Sequence, residues 1–177
     1  MRIISGLYKG RRITAPSVLP VRPTTDAAKE SLFNILSNSF SFDQISFLDL
    51  FTGTGNISYE MASRGCTDIS AVDIDYRCTG FVKATASNLG MEGLLAVKRD
   101  VYQYLREVSR SYDIIFADPP YKHGETALIH KLVFERGLLE EDGCLILEHG
   151  EDQDFSSLAH LHDERRIGNV NFTIFKR

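Results

Sequence analysis

From residue 45 onward, short apolar runs alternate with segments of helical periodicity, and this alternation limits the possible folds more than any other feature. Five runs predict strands, at residues 45–50, 69–72, 94–97, 114–117 and 144–147. The segments between them carry apolar residues at helical spacing, as at Val101, Leu105 and Val108. Short strands separated by helices are typical of a parallel sheet that helices cover on both faces.

Both ends of the chain depart from this alternation. Residues 165–167 and 170–175 predict an antiparallel hairpin that closes the sheet. Residues 2–6 and 12–15 predict a small N-terminal β-hairpin, and the next helix is expected to begin at Thr24 or Thr25, since either can serve as its N-cap. We therefore expect an α/β domain at residues 24–177, preceded by a hairpin extension at residues 1–23.

Charge is divided unevenly between these two units. The 177 residues have a formal net charge of −4, but the first 25 contain five basic residues and no acid. The basic residues are Arg2, Lys9, Arg11, Arg12 and Arg22. The rest of the chain carries a net charge of −9, so nucleic acid is expected to contact the basic extension rather than the acidic body. The alternative is a solvated strand pair that happens to be basic.

Several classes of protein are excluded by what the sequence lacks. No apolar stretch approaches the roughly 20 residues of a membrane span, and the N-terminus has no signal-peptide run, so a cytoplasmic protein is expected. Cys66, Cys78 and Cys144 are too few and too scattered for a disulfide framework or a zinc site, so we expect buried thiols and no metal. No interface patch is evident, and we expect a monomer.

Glycines and an acid follow the first predicted strand, at the sheet edge where doubly wound folds bind ligands. The block at residues 49–55 reads DLFTGTG. Its glycines let a ligand approach the backbone, but Ser58 stands where a nicotinamide fingerprint has its third glycine. The acid Asp49 suits a sulfonium or ammonium better than a pyrophosphate. The block therefore favours the methionine end of S-adenosylmethionine, with a simple tight turn as the alternative.

Acids also follow the second and third predicted strands. Asp73 lies 20 residues beyond Gly53, where it can accept hydrogen bonds from a ribose diol, whereas Asp75 is expected to cap the following helix. Asp100 can accept from an adenine amino group while Val101 packs on the ring. Helix capping is the alternative for Asp100, and the two roles are compatible.

The fourth predicted strand ends in Asp118-Pro119-Pro120-Tyr121. An exocyclic amine on a planar base is a poor nucleophile, because its lone pair is delocalised into the ring. The Asp118 carboxylate and the Pro119 carbonyl can hold the N–H groups of such an amine, and Tyr121 can stack on the base. The alternative is a proline-rich turn without a chemical role.

Together, the blocks at residues 49–55 and 118–121 resemble those of class I methyltransferases that act on exocyclic amino groups. The N-terminal blocks RIISG (2–6), KGRR (9–12), RPTTD (22–26) and LFNIL (32–36) are similar to those of a narrower family, the RsmD-type bacterial 16S rRNA guanine-N2 methyltransferases. This resemblance implies a Rossmann-like, mostly parallel seven-stranded sheet and S-adenosylmethionine as the cofactor. It implies one guanine of 16S rRNA as the target, in free rRNA or in a small-subunit assembly intermediate.

The resemblance also implies roles for individual residues. Those expected at the methionine end of the cofactor are Asp49, Phe51, Gly53 and Gly55. Asp73 is expected at the ribose, and Asp100 with Val101 at the adenine. Residues 22–26 are expected to form a wall between cofactor and base, with Thr25 in contact with the cofactor. Asp118, Pro119 and Tyr121 form the catalytic clamp. The chain departs from the family pattern at Thr52, where alanine is common, and at Asp73, where glutamate is frequent.

Other functions remain open at this point. A nicotinamide oxidoreductase and a non-catalytic RNA-binding module are possible on the same architecture, although Asp49 and the 118–121 block disfavour them. Within methyltransferases, adenine N6, cytosine N4 and a protein glutamine amide are suited to the same clamp. The expected mechanism is direct in-line methyl transfer to a splayed-out base, with no covalent enzyme intermediate.

Overall fold

The computed structural model describes residues 1–19, 24–120 and 126–177. The helices are α1 (Asp26–Leu36), α2 (Asn56–Ser63), α3 (Tyr76–Leu89), α4 (Val101–Glu107) and α5 (Thr126–Glu135). The strands are β1 (Ser46–Leu50), β2 (Asp68–Asp73), β3 (Leu94–Lys98), β4 (Tyr112–Ala117), β5 (Leu139–His149), β6 (Leu161–Ile167) and β7 (Val170–Lys176). A single 3₁₀ turn at Phe42–Gln44 precedes β1.

The seven strands form one sheet in the order β3-β2-β1-β4-β5-β7-β6. Strands β1 to β5 pair in parallel, whereas β7 is antiparallel to both β5 and β6. The expected mostly parallel seven-stranded sheet with an antiparallel C-terminal hairpin is therefore confirmed. The strand order reverses between β1 and β4, and this reversal marks the edge at which a doubly wound sheet binds its ligand.

Helices cover both faces of the sheet, so adjacent residues of each central strand are buried on opposite sides. Phe47 of β1 packs in a layer with Leu32 of α1 and with residues of α2 and α3. The next residue, Leu48, packs in a second layer with Ile129 of α5 and with residues of α4. Fully buried side chains on both faces explain why the strands read as continuous apolar runs in the sequence.

Two strands begin four or more residues earlier than the sequence indicates. β5 starts at Leu139 and β6 at Leu161, in each case before the apolar run that predicted it. β6 is an edge strand whose residues are mostly exposed, so it carries no apolar signal at its start. The start of β5 pairs with β4 across an irregularity in register near Tyr112, which the sequence alone does not reveal.

The predicted N-terminal hairpin is present but short, with one antiparallel bridge between Arg2 and Arg12 and backbone hydrogen bonds in both directions between Met1 and Ile13. Ile3 exchanges backbone hydrogen bonds with the facing segment, but the pairing stops directly after it. The reason is that the backbone N–H groups of Ile4 and Ser5 donate to the Glu60 side chain of α2, at 2.7 and 3.0 Å, and are not available for a ladder.

A buried ion pair fixes this N-terminal segment to the helices. Lys29 of α1 and Glu60 of α2 are both fully buried, with 3.5 Å between Nζ and Oε2. The Lys29 ammonium also donates to the backbone carbonyl of Arg2 at 2.6 Å and to Asn56 Oδ1 at 2.8 Å. Burial lowers the pKa of Lys29, and the negative charge of Glu60 opposes that change. The predicted unit boundary at residue 23 lies outside the described residues.

Candidate active site

Strand register brings four acidic side chains to one face of the sheet. Asp49 of β1 pairs with Ala71 of β2 and with Phe116 of β4, which in turn pairs with Ile146 of β5. Side chains two residues further along a strand lie on the same face, and here those residues occupy the last two positions of the strands or directly follow them. The acids that share this face and edge, called the carboxylate row below, are Asp49, Asp73, Asp118 and Glu148.

Asp49 is buried beneath the turn that follows β1. Its Oδ2 atom accepts hydrogen bonds from the hydroxyls of Thr52, at 2.7 Å, and of Ser58. Burial raises the pKa of Asp49 to about 6, and the two hydroxyl donors oppose the change. Ser58 stands at the position of the third glycine in a nicotinamide fingerprint, and its hydroxyl is used to hold Asp49.

The turn at residues 51–55 requires left-handed backbone at three positions. Phe51, Gly53 and Gly55 have φ values of 61°, 52° and 79°. A Cβ atom at Gly55 would lie 2.8 Å from Cζ of Tyr59 and 2.9 Å from Cγ2 of Val82, so no larger residue fits there without displacing both. A non-glycine residue in this region is uncommon, and of the three left-handed positions only Phe51 carries a side chain.

Asp73 joins that turn to the end of β2. Its Oδ2 atom accepts from the backbone N–H of Gly53 at 2.9 Å, and its Oδ1 atom accepts from that of Asp75 at 2.8 Å. Burial raises the pKa of Asp73. The two backbone donors fix the orientation of the carboxylate at the edge of the sheet.

Three of the residues singled out from the sequence serve as helix caps. Thr25 caps α1, Asp75 caps α3, and Asp100 caps α4 by accepting from the Gln103 N–H at 2.9 Å. The expected caps at Thr25 and Asp75 are therefore present. Val101 directly follows Asp100 and is buried, in the layer that α4 shares with α5.

Asp118 and Pro119 continue β4 into the carboxylate row. Within the described ranges no hydrogen bond to the Asp118 carboxyl group is found, whereas its backbone N–H lies 3.4 Å from the Leu50 carbonyl oxygen. Burial raises the pKa of Asp118 to about 8, and the negative charges of Glu148 and Asp49 add to the effect. Pro119 is buried and Pro120 is exposed. Tyr121, the third residue of the predicted clamp, lies outside the described residues.

Glu148 is the member of the carboxylate row that sequence reasoning missed. It is only 2% exposed, and its Oε2 atom accepts from the Thr24 hydroxyl at 2.9 Å. Burial raises the pKa of Glu148 to about 7, with Thr24 opposing the change and Asp49 adding to it. A signal was present, because Glu148 directly follows the apolar run at residues 144–147 as Asp73 and Asp118 follow theirs.

The basic residues of the N-terminal segment that the structure describes are exposed, and Arg2 and Arg12 lie near Asp26 at the start of α1. Lys9, Arg11 and Arg12 are exposed, and Arg2 forms an ion pair with Asp26 with 3.3 Å between Nε and Oδ2. Arg22 lies outside the described residues. Lys29 donates to the Arg2 carbonyl and to Asn56, and Asn56 in turn donates to the backbone carbonyl of Thr24. These bonds hold the N-terminal segment next to the carboxylate row.

In the described part of the chain, no helix is long and apolar enough to cross a membrane. The same residues contain no cluster of three or more histidine, cysteine or acidic side chains arranged to hold a metal ion. Cys66, Cys78 and Cys144 are buried and form no disulfide, as the sequence predicts.

Comparison with known proteins gives a consistent relationship over the whole chain. The family model described as conserved hypothetical protein 95 matches residues 1–176. YlbH of Bacillus subtilis (strain 168) is 36% identical over 156 residues, which cover 86% of this chain and 84% of YlbH. The ribosomal RNA small subunit methyltransferase D of Escherichia coli (strain K12) is 26% identical over 180 residues, covering 100% and 90%.

A solved structure agrees with the sequence relationship. The hypothetical protein TTHA0928 of Thermus thermophilus superposes on the chain with a TM-score of 0.87 at 26% identity, covering 100% of this chain and 99% of that one. The resemblance first indicated by the N-terminal blocks and by the blocks at residues 49–55 and 118–121 is confirmed. The chain belongs to the conserved hypothetical protein 95 family and is an RsmD-type methyltransferase.

Proposed function

We propose that this protein transfers a methyl group from S-adenosylmethionine to the exocyclic N2 amine of one guanine in 16S rRNA. The observation that carries the proposal is the Asp118 carboxyl group, which lies at the sheet's binding edge in a row of acids and accepts no hydrogen bond from the described residues. Such a group is available to an N–H donor of a substrate. A relative whose name identifies it as a small-subunit rRNA methyltransferase matches the whole chain, which favours rRNA as the substrate.

The residues around the turn after β1 fit S-adenosylmethionine. When bound, the cofactor supplies a methyl group on a positively charged sulfonium, and acidic groups near the turn favour such a charge. Asp49, Phe51, Gly53 and Gly55 would hold its methionine end, and the absence of a Cβ at Gly55 lets the turn pack against Tyr59 and Val82.

The ends of β2 and β3 would hold the rest of the cofactor. Asp73 accepts two backbone N–H groups but has lone pairs left for a ribose diol. Asp100 uses Oδ1 for its cap, which leaves Oδ2 for an adenine amino group, and Val101 lies beside it. Thr25 would contact the cofactor while its side-chain oxygen accepts from the Ala28 N–H and caps α1.

Catalysis would come chiefly from holding the amine in line with the methyl group. Asp118 accepts one N2–H and the Pro119 carbonyl accepts the other, so that the nitrogen lone pair faces the sulfonium. The ionised form of Asp118, which the positive charge of a bound sulfonium would favour, also stabilises the positive charge that develops on the nitrogen, and the proton leaves to Asp118 or to water. Tyr121 is proposed to stack on the base.

The exposed basic segment would position the RNA. Arg2, Lys9, Arg11 and Arg12, together with Arg22, would contact phosphates and hold the RNA without reading its sequence. The substrate would be 16S rRNA or a small-subunit assembly intermediate. A cytoplasmic location and a monomeric state stay predictions.

The test is methylation of 16S rRNA by the purified protein, followed by mass spectrometry of the nucleosides. We expect one N2-methylguanosine per rRNA. Asp118→Ala should lower turnover by at least about 100-fold, because it removes a group that stabilises the transition state. The affinity for S-adenosylmethionine, measured by calorimetry, should change little. A methyl group found on adenine N6, cytosine N4 or a protein glutamine would contradict the guanine assignment.

A further inference from the structure

We propose that Glu148 selects guanine by accepting a hydrogen bond from the ring N1–H, next to the amine that Asp118 holds. The inference rests on the proposed function and extends it, because it assigns the choice of base to a particular side chain. Without such a residue the clamp alone is suited equally to adenine, cytosine or a glutamine amide.

The placement of Glu148 follows from strand pairing. Ala117 of β4 pairs with Leu147 of β5, so Asp118 and Glu148 are the next residues along two adjacent parallel strands. Adjacent strands lie about 4.8 Å apart, and paired positions direct their side chains to the same face. The charge of Glu148 contributes to the raised pKa of Asp118, which indicates that the two carboxyl groups are close.

Glu148 is held in one orientation and has acceptor capacity left. Thr24 donates its hydroxyl to Oε2, and Thr24 is itself fixed by the Asn56 side chain, which donates to its carbonyl at 2.8 Å. In residues 1–19, 24–120 and 126–177 no other hydrogen bond to this carboxyl group is found. A buried carboxylate with a single donor is costly, and a second donor from a substrate would offset that cost.

The hydrogen-bonding edges of the bases make this arrangement selective. Guanine presents N1–H beside its N2 amine, so two neighbouring donors face two neighbouring carboxyl groups. Adenine and cytosine instead present a ring nitrogen lone pair beside their amines, and that lone pair repels the ionised form of Glu148, which prevails above its pKa of about 7. A site built to accept a hydrogen bond strongly rejects an analogue that lacks the donor.

The test compares guanosine with 2-aminopurine at the target position of the RNA. 2-Aminopurine keeps the exocyclic amine, but its N1 carries a lone pair instead of a hydrogen. At about pH 8.5, where Glu148 is mostly ionised, the wild-type protein is expected to prefer guanosine by at least about 100-fold in kcat/KM. In Glu148→Gln the preference should fall at least about 10-fold, because the amide can donate to the unprotonated N1.

Two controls separate selectivity from folding. Glu148→Gln should bind S-adenosylmethionine with wild-type affinity. Glu151→Gln, which removes an exposed acid that pairs with Arg166, should keep the full preference for guanosine. Equal methylation of the two bases by the wild-type protein would overturn the inference without any variant, as would an unchanged preference in Glu148→Gln. If the wild-type protein methylates no guanine at all, the proposed function fails instead.

Discussion

Asp118 and Glu148 are carboxyl groups at the ends of adjacent strands, and in the folded protein both retain their protons to higher pH than ordinary side chains do. The pKa of Asp118 lies near 3.8 in an unfolded chain and near 8 here. Between these values the folded state binds more protons than the unfolded state, so the free energy of unfolding falls as the pH rises. The burial of these two acids side by side therefore lowers stability at neutral and basic pH.

Asp118→Asn should relieve this loss of stability. The amide does not ionise, so the variant should become more stable relative to the wild type as the pH rises from about 5.5 to about 8. We expect the difference in free energy of unfolding to grow by at least about 1 kcal/mol, or roughly 2–4 °C in Tm for a chain of this size. Thermal melting of both proteins at the two pH values measures it. A difference that stays constant with pH would show that Asp118 ionises as it does in water.

The sequence predicted which acids belong to the site better than it predicted which of them are neighbours in the folded protein. Asp49, Asp73 and Asp118 each end or follow an apolar run, and the general rule that ligands bind at strand ends was enough to select them. That Asp118 and Glu148 are neighbours depends on strand order and register, which place residues 30 positions apart side by side. The use of Ser58 to hold Asp49 depends likewise on how the turn folds.

Among the elements, the N-terminal segment shows most clearly how tertiary contacts override a local pattern. Residues 2–6 have strand-like composition, but Glu60 takes the backbone N–H groups that would continue the pairing. Lys29 lies in an amphipathic helix, where a lysine is ordinarily exposed, so no local signal shows that it is buried. Helix caps such as Thr25 and Asp75 depend only on residues within a few positions, and these were predicted correctly.

Glu60→Ala should be strongly destabilising. It leaves the Lys29 ammonium buried without its counter-charge and removes the acceptor of two backbone N–H groups. Breaking a buried ion pair in this way costs about 3–5 kcal/mol of unfolding free energy. Urea denaturation measures the loss.

Glu30→Ala provides the matched control, because Glu30 is an exposed acid on α1, the helix that carries Lys29. It should change the unfolding free energy by no more than about 0.5 kcal/mol. Equal effects of the two substitutions would mean that the buried pair does not support the N-terminal segment.

At the scale of the whole molecule, the net charge of −4 hides two surfaces of opposite character. If the basic segment holds RNA, Arg11→Glu with Arg12→Glu should weaken RNA binding at least about 10-fold at low salt. It should also lower the dependence of binding on salt concentration by about two released ions. Fluorescence anisotropy at several salt concentrations measures both quantities, and the affinity for S-adenosylmethionine should stay the same.

The control changes the net charge by the same amount elsewhere. Arg106→Glu with Lys131→Glu reverses two exposed basic residues on α4 and α5, the helices that cover the other face of the sheet. RNA affinity should be close to that of the wild type. If both double variants weaken binding equally, the total charge of the protein matters and the basic segment has no special role.

The contacts between the N-terminal segment and Glu60 also bear on the order in which the protein assembles during its synthesis. Ile4 leaves the ribosome before the side chain that accepts its N–H, which comes 56 residues later in the chain. The basic segment therefore has no fixed place until α2 has been made and has met α1. In a nascent chain truncated before Glu60, the segment that carries these arginines and this lysine would lack the contacts that hold it in place.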